Sequence, residues 1–164
     1  KPKYQHIVLL ENYHRLWDDL ELIGSDFTRS KVPELKELYE KNAQAYVKEV
    51  FAYQFGQLTE FFNNIKLMLQ SIAPENIKFQ SSFNINNFRK IAQIPSVTFV
   101  KNVKEMHKRM QKHLSKEENL FEDIEQRLKD YIYEVLAEFE SLAQLCYPEE
   151  SMSPSSNEIE DLVQ

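Results

Sequence analysis

The sequence predicts an all-α fold, an elongated antiparallel bundle of about five helices, and two observations support this. Apolar residues recur every three or four positions through most of the 164 residues. Only two glycines occur, Gly24 and Gly56, whereas a turn-rich β fold needs glycine where φ is positive. We expect one helical bundle over residues 1–147. Residues 148–164 are expected to form a flexible joint and a short terminal helix packed on or near it.

The first half of the chain predicts two long helices. Apolar residues over 4–23 form one helical pattern, which ends at Gly24-Ser25. Pro33 fits the start of the next helix, where its missing N–H costs least. The pattern then continues over 34–72 until Pro74, with Gly56 inside it marking a bend or a close helix crossing. The aromatic residues on this pattern are expected to be mostly core: Tyr39, Tyr46, Tyr53, Phe61 and Phe62.

The second half predicts a short helix and two longer ones. Ile77, Phe79 and Phe83 are apolar within a polar stretch and are expected to pack as an extended segment. Asn84 is a good N-cap for a short helix ending near Gln93. Ser96 can cap a helix running to about Leu114. Ser115-Lys116-Glu117-Glu118 matches a capping box, and the fifth helix then runs to Cys146 before Pro148.

Charge and composition exclude several classes of protein. The net charge of −6 disfavours nucleic acid as a partner. Residues 97–116 nevertheless hold six basic residues against one acidic residue, and residues 117–164 hold fourteen acidic residues against two basic ones. No stretch is apolar enough to span a membrane. One cysteine excludes an internal disulfide and fits a reducing cytosol, and a chain that starts at Lys1 is expected to be part of a longer protein.

The residues that could carry catalysis do not form a catalytic pattern. Glu11-x-x-His14 resembles half of a di-metal bundle site, but a metal-dependent enzyme would need a second such pair, and the sequence has none. We expect His14 at a helix interface, His107 at the edge of the core and His113 at a helix end. Cys146 is expected to be a buried structural thiol. No catalytic, cofactor or metal site is predicted, and the chain is not expected to be an enzyme.

Two sets of residues are candidates for binding. The first is a basic helix face that could meet anionic lipids or an acidic partner: Lys101, Lys104, Lys108, Arg109, Lys112 and Lys116. The alternative for this face is a solvated surface balanced by the acidic fifth helix. The second set is Phe51, Phe55 and Tyr133, which fall off the main apolar stripes and, if exposed, would anchor a partner helix.

Five short phrases at fixed spacing point to a family. They are Glu11-Asn12-Tyr13-His14, Phe79 through Asn84 (FQSSFN), Arg89-Lys90, His113 through Leu120 (HLSKEENL) and Cys146-Tyr147-Pro148. In this order they resemble the C-terminal end of the exocyst complex component 1 family, over roughly residues 8–163.

The resemblance implies a helical bundle of a rod-shaped tethering subunit. Such a domain would be a non-enzymatic scaffold that contacts other exocyst subunits and SNARE-regulating proteins. It would be cytoplasmic, peripheral at plasma-membrane exocytosis sites, and would help hold secretory vesicles before SNARE-driven fusion. The family's lipid- and GTPase-binding module lies at its opposite end, so small GTPases would be reached only through the full-length subunit. Direct anionic-lipid binding through residues 97–114 is the alternative function.

Overall fold

A computed structural model describes residues 5–24, 26–115, 119–155 and 157–159, with only the backbone for 26–29. These residues form seven α-helices, a single-turn 3-10 helix at Ser81–Phe83 and no strand, so the all-α prediction is confirmed. The α-helices are α1 (Gln5–Ile23), α2 (Asp26–Gln54), α3 (Gly56–Met68), α4 (Pro74–Ile77), α5 (Ile85–Ala92), α6 (Ser96–His113) and α7 (Leu120–Cys146).

Several helix ends follow the expected local chemistry. Gly24 follows α1 with φ of +62°, a left-handed conformation that glycine adopts without strain. The Asn84 side chain accepts a hydrogen bond from the Asn87 N–H at 3.0 Å, so it is the N-cap of α5 as predicted. The capping box expected at 115–118 lies partly outside the described residues.

Three expectations about the helices need correction. Pro33 lies inside α2 rather than at its start. Proline has no backbone N–H, so α2 lacks one internal hydrogen bond at this position. The 34–72 pattern is two helices, because Phe55 (φ −113°, ψ 40°) interrupts the helical backbone between α2 and α3. Of the two reasons expected for Gly56, a bend agrees with this interruption at the preceding residue. A close helix crossing does not fit, because a Cβ added at Gly56 would meet no atom within 4 Å.

The segment between Pro74 and Asn84 also differs from the expectation. It contains α4 and the 3-10 helix rather than a buried extended segment. Ile77 is fully buried, but the Phe79 ring is largely exposed. In short helical turns, side chains close together in sequence point to different sides. The apolar character of Ile77, Phe79 and Phe83 therefore did not show which of them is buried.

The chain divides into two units, and α2, α6 and α7 contribute residues to both. Unit 1 comprises residues 1–50 and 107–128, and unit 2 comprises residues 51–106 and 129–164. Residues 147–155 therefore belong to unit 2, and the separate joint expected over 148–164 stays a prediction.

Unit 1 contains a polar cluster beside its apolar core. The Tyr39 hydroxyl donates a hydrogen bond to the Asp123 carboxylate, and burial together with this bond raises the pKa of Tyr39. Arg127 donates to Asp123 at 2.6 Å and, through Nη2, to Glu40 at 3.0 Å. The Glu40 hydrogen bond raises the pKa of Arg127, so the guanidinium stays charged between two carboxylates. The cluster thereby links the part of α2 in unit 1 to the first turns of α7.

Unit 2 is built around an aromatic cluster of Phe61, Phe62, Phe83, Phe88, Phe139 and Tyr147. The rings of Phe62 and Phe139 stack at 4.6 Å, and those of Phe88 and Tyr147 stack at 4.4 Å. Such pairs stabilise a core by about 0.5–1.5 kcal/mol beyond the area that they bury. The Tyr147 hydroxyl donates to the carbonyl of Phe83 at 2.7 Å. The cluster thus joins α3, α5 and α7 with the 3-10 helix.

Replacement of Tyr147 separates the two contributions of this side chain. Tyr147→Phe keeps the ring stack but leaves the Phe83 carbonyl without this donor, and should lower the free energy of unfolding by about 1 kcal/mol. Tyr147→Ala also removes the ring and should cost about 3–5 kcal/mol. Urea denaturation measures both changes. The matched control is Tyr53→Phe, at an exposed tyrosine; a Tyr147→Phe effect no larger than this control would contradict the assignment.

Candidate functional site

The predicted metal and catalytic candidates have structural roles. Glu11 Oε1 accepts a hydrogen bond from the backbone N–H of Ser115 at 2.6 Å, which ties α1 to the residues after α6. His14 is buried with its ring 5.6 Å from that of Tyr39, so it lies at the α1–α2 interface as expected. Within the described residues, His, Cys, Asp and Glu form no group of three or more that could hold a metal ion.

His107, His113 and the cysteine also lie where the sequence places them. His107 Nε2 is 2.8 Å from Glu125 Oε1, at a partly exposed position. His113 is the last residue of α6 and lies 3.3 Å from the Tyr46 hydroxyl. Cys146 is fully buried, and burial raises the pKa of its thiol. A protonated, inaccessible thiol is not a nucleophile at neutral pH.

The lysines of α6 are all exposed. Lys101 and Lys104 belong to unit 2, and Lys108 and Lys112 belong to unit 1. Arg109 is half-buried and lines a small cavity in unit 1 with Tyr46 and His113. Lys116 lies outside the described residues. The lysines of α6 face solvent, and whether they bind a partner or a membrane stays a prediction.

The aromatic anchors are the clearest correction to the sequence analysis. Phe51 and Phe55 are core residues with 0% and 4% exposure. Because a partner anchor must be exposed, the prediction that they anchor a partner helix is wrong. Phe51 packs against Tyr131 and Phe55 against Phe99, with ring centroids 5.6 and 5.3 Å apart.

Tyr53, expected in the core, is instead 61% exposed. The buried residues Val47, Phe51 and Phe55 follow one another in steps of four. The predicted core path from Tyr46 to Tyr53 instead takes a step of four to Val50 and then a step of three. Both paths fit a helix. Tyr133 is half-buried.

Unit 2 has a groove that no pattern in the sequence predicted. We call it the α3–α5 groove; its volume is about 500 Å³, and it is lined by Tyr53, Gln54, Phe55, Gly56, Gln57, Leu58, Lys90, Ile91, Gln93, Ile94, Pro95, Thr98 and Asn102. A second cavity of about 340 Å³ shares Gln57, Lys90 and Ile91 with it. The residues of the α3–α5 groove come from α2, α3, α5, α6 and the segments that connect them. Spacing along the chain did not indicate that these residues lie together.

The residues after α7 hold one side of this region in place. Arg89 Nε donates to Glu150 Oε2 at 2.9 Å. The backbone N–H of Ile94 donates to the carbonyl of Ser153 at 2.7 Å, and the N–H of Ser153 donates to the carbonyl of Ala92 at 3.1 Å. These bonds fix the end of α5, which forms one wall of the α3–α5 groove.

No helix of the described residues is long and apolar enough to cross a membrane.

Comparison with known proteins gives one consistent result. The family model described as Exocyst complex component Sec3, C-terminal, matches residues 2–149. The chain is 28% identical over 144 residues to exocyst complex component 1 of Mus musculus, an alignment that covers 87% of this chain and 16% of the relative. The Drosophila melanogaster protein of the same name is 30% identical over 146 residues, covering 86% of this chain and 16% of the relative. The Dictyostelium discoideum protein is 24% identical over 161 residues, covering 98% and 18%. The chain thus spans under a fifth of the length of these relatives. No solved structure gives a significant match.

The Arg89–Glu150 pair makes stability depend on pH in a defined direction. Hydrogen bonding from Arg89 lowers the pKa of Glu150 below its ordinary value of about 4.3. A carboxylate with a depressed folded-state pKa stabilises the fold above its unfolded pKa, and this contribution is lost as pH falls through the folded pKa. Wild type should therefore be more stable than Glu150→Gln at neutral pH, with the difference shrinking below about pH 4. Urea midpoints across this range measure it, and a difference that grows toward acid would contradict the assignment.

Proposed function

The chain belongs to the family of the exocyst complex component Sec3 C-terminal domain, as the five short phrases indicated, and we propose that it is a non-enzymatic scaffold domain. In this function the domain makes helix-to-helix contacts with other exocyst subunits. It thereby helps to tether secretory vesicles to the plasma membrane before SNARE-mediated fusion, as a cytoplasmic protein that is peripheral at sites of exocytosis.

Family membership over most of the chain is the observation that carries this proposal. The relatives named exocyst complex component 1 are named as parts of a complex, which favours binding to other subunits over a reaction on a substrate. SNARE-regulating proteins and, through the full-length subunit, small GTPases are further proposed partners. The polar side chains described above support the same proposal, because they pair helices with one another.

One face of α1 fits a helix-to-helix contact. Val8, Leu16, Leu22 and Ile23 are all exposed, Leu22 at 85%. At 100° per residue they lie on one side of α1, and the buried Ile7, Leu10 and His14 lie on the other. The exposed Asn12, Arg15 and Asp19 lie on the same side, so this face combines apolar and polar side chains and suits an amphipathic partner helix. We assign this face to a helix of another exocyst subunit.

A second candidate function is direct binding to anionic lipids through α6. The exposure of Lys101, Lys104, Lys108 and Lys112 favours it. Each lysine near an anionic membrane surface contributes about 1 kcal/mol of binding, and salt screens this attraction.

The scaffold proposal is tested by co-purification of the chain with each other exocyst subunit in turn, at low and high salt. We expect one subunit to be retained at high salt, because apolar contacts are not screened. Val8→Asp with Leu22→Asp should abolish retention at unchanged thermal stability, since both positions are exposed. Leu67→Asp, at an exposed leucine of α3, is the matched control. Failure to retain any subunit at either salt concentration would contradict the proposal.

The lipid candidate is tested by sedimentation with phosphatidylserine-containing vesicles and with neutral vesicles. Each lysine pair is reversed separately, as Lys101→Glu with Lys104→Glu and as Lys108→Glu with Lys112→Glu. Binding through α6 predicts capture by the anionic vesicles alone, weakened by salt and by these reversals. Lys41→Glu with Lys48→Glu is the control at exposed lysines of α2. Lack of capture at low salt would remove this candidate.

A further inference from the structure

We propose that the α3–α5 groove of unit 2 binds an extended peptide segment of another exocyst subunit, one that carries apolar side chains and a carboxylate. This inference rests on the proposed scaffold function and names a surface and a kind of partner for it. It concerns a different surface from the apolar face of α1.

The shape and lining of the groove suit a peptide chain. Its volume of about 500 Å³ is in the range of sites that enclose several side chains. Phe55 and Leu58 form a buried apolar part of the lining, and Tyr53 and Pro95 are exposed on it. Exposed aromatic residues are enriched among those that contribute most to binding. Apolar side chains of a bound segment would therefore be removed from water in this groove.

Amide side chains give the groove the means to hold a peptide backbone. Gln54, Gln57, Gln93 and Asn102 all line it, and each amide carries two donor hydrogens and an acceptor. The Gln93 amide already donates to the carbonyl of Ser151 at 3.2 Å, which leaves its oxygen as an acceptor. Gln54 and Asn102 are already joined by a hydrogen bond of 3.0 Å, which fixes their orientation. An extended segment exposes the N–H and C=O groups that such amides pair with, whereas a helix uses its own internally. These amides therefore favour an extended segment over a helix.

The charge of the groove selects a carboxylate. Among the described residues, Lys90 is the one charged residue of the lining, and none of them adds a carboxylate to it. The neighbouring cation, Arg89, is engaged by Glu150 at 2.9 Å, so it does not compete for an acidic ligand. Lys90 also lines the adjoining cavity of about 340 Å³, whose lining includes Glu60. A carboxylate on the bound segment is thus expected on the Tyr53 side of Lys90, away from Glu60.

Gly56 provides a way to block the groove from a residue of its own lining. It lines the groove, and a Cβ added there meets no atom within 4 Å. The Cβ of a new residue therefore has open space, so Gly56→Trp should place its ring in the groove, and Gly56→Ala is the matched control. Lys90→Glu reverses the charge at an exposed position, with Lys48→Glu of α2 as its control.

The probe is an array of overlapping peptides of about 15 residues, which span about 50 Å when extended, tiled across the other exocyst subunits. We expect the captured peptides to combine apolar with acidic residues. The best of them should lose affinity about tenfold or more with Gly56→Trp and with Lys90→Glu, and keep it with both controls. Circular dichroism melting verifies that every variant is folded.

The outcomes separate this inference from the scaffold function. Capture of an intact subunit by wild type, but of no peptide, would overturn the inference and leave the scaffold function standing. So would peptides that bind Gly56→Trp and Lys90→Glu as tightly as wild type. Failure of every intact subunit to bind would remove the scaffold function, and this inference with it.

Discussion

The stack of Tyr147 on Phe88 is the contact on which the architecture of unit 2 depends. Tyr147 directly follows α7, and its hydroxyl reaches the Phe83 carbonyl just before α5, so one side chain fixes the end of one helix against the beginning of another. The residues that follow then pair with the backbone at the end of α5. Because α5 forms a wall of the α3–α5 groove, this stack helps to position that wall. A large aromatic side chain suits this role, since it buries about 150–250 Å² and keeps a polar tip for a hydrogen bond.

The sequence predicted the helices well and their faces less well. Periodicity and local chemistry located α1, α5, α6 and α7, because a cap such as Asn84 acts within a few residues of itself. Near the end of α2, steps of three and of four both fit a helix, so the sequence does not fix which residues face the core. As a result Phe51 was expected to lie off the core stripe and Tyr53 on it, and the reverse is observed. The lining of the α3–α5 groove combines side chains from α2, α3, α5 and α6, which are far apart along the chain. For that reason the α3–α5 groove was not predicted.

Several polar groups of unit 1 join one structural element to another. In unit 1, Glu11 binds the Ser115 N–H, Asp123 accepts from Tyr39 and Arg127, and His107 lies against Glu125. The Asp123–Arg127 bond lies within α7, and the other contacts connect different structural elements and so fix helix positions. A domain built in this way presents fixed surfaces, and fixed surfaces bind partners with little loss of conformational entropy. The proposed exocyst scaffold function requires this property of the chain.

Hydrogen exchange of the chain, alone and bound to the exocyst subunit that retains it, tests the central claim most directly. The claim is that a partner segment occupies the α3–α5 groove of a domain whose fold does not change on binding. It predicts slower exchange at residues 53–58 and 90–98 in the complex, and unchanged exchange in the Phe62–Phe139 region of the core. Protection confined to α1, with residues 53–58 and 90–98 unchanged, would contradict it.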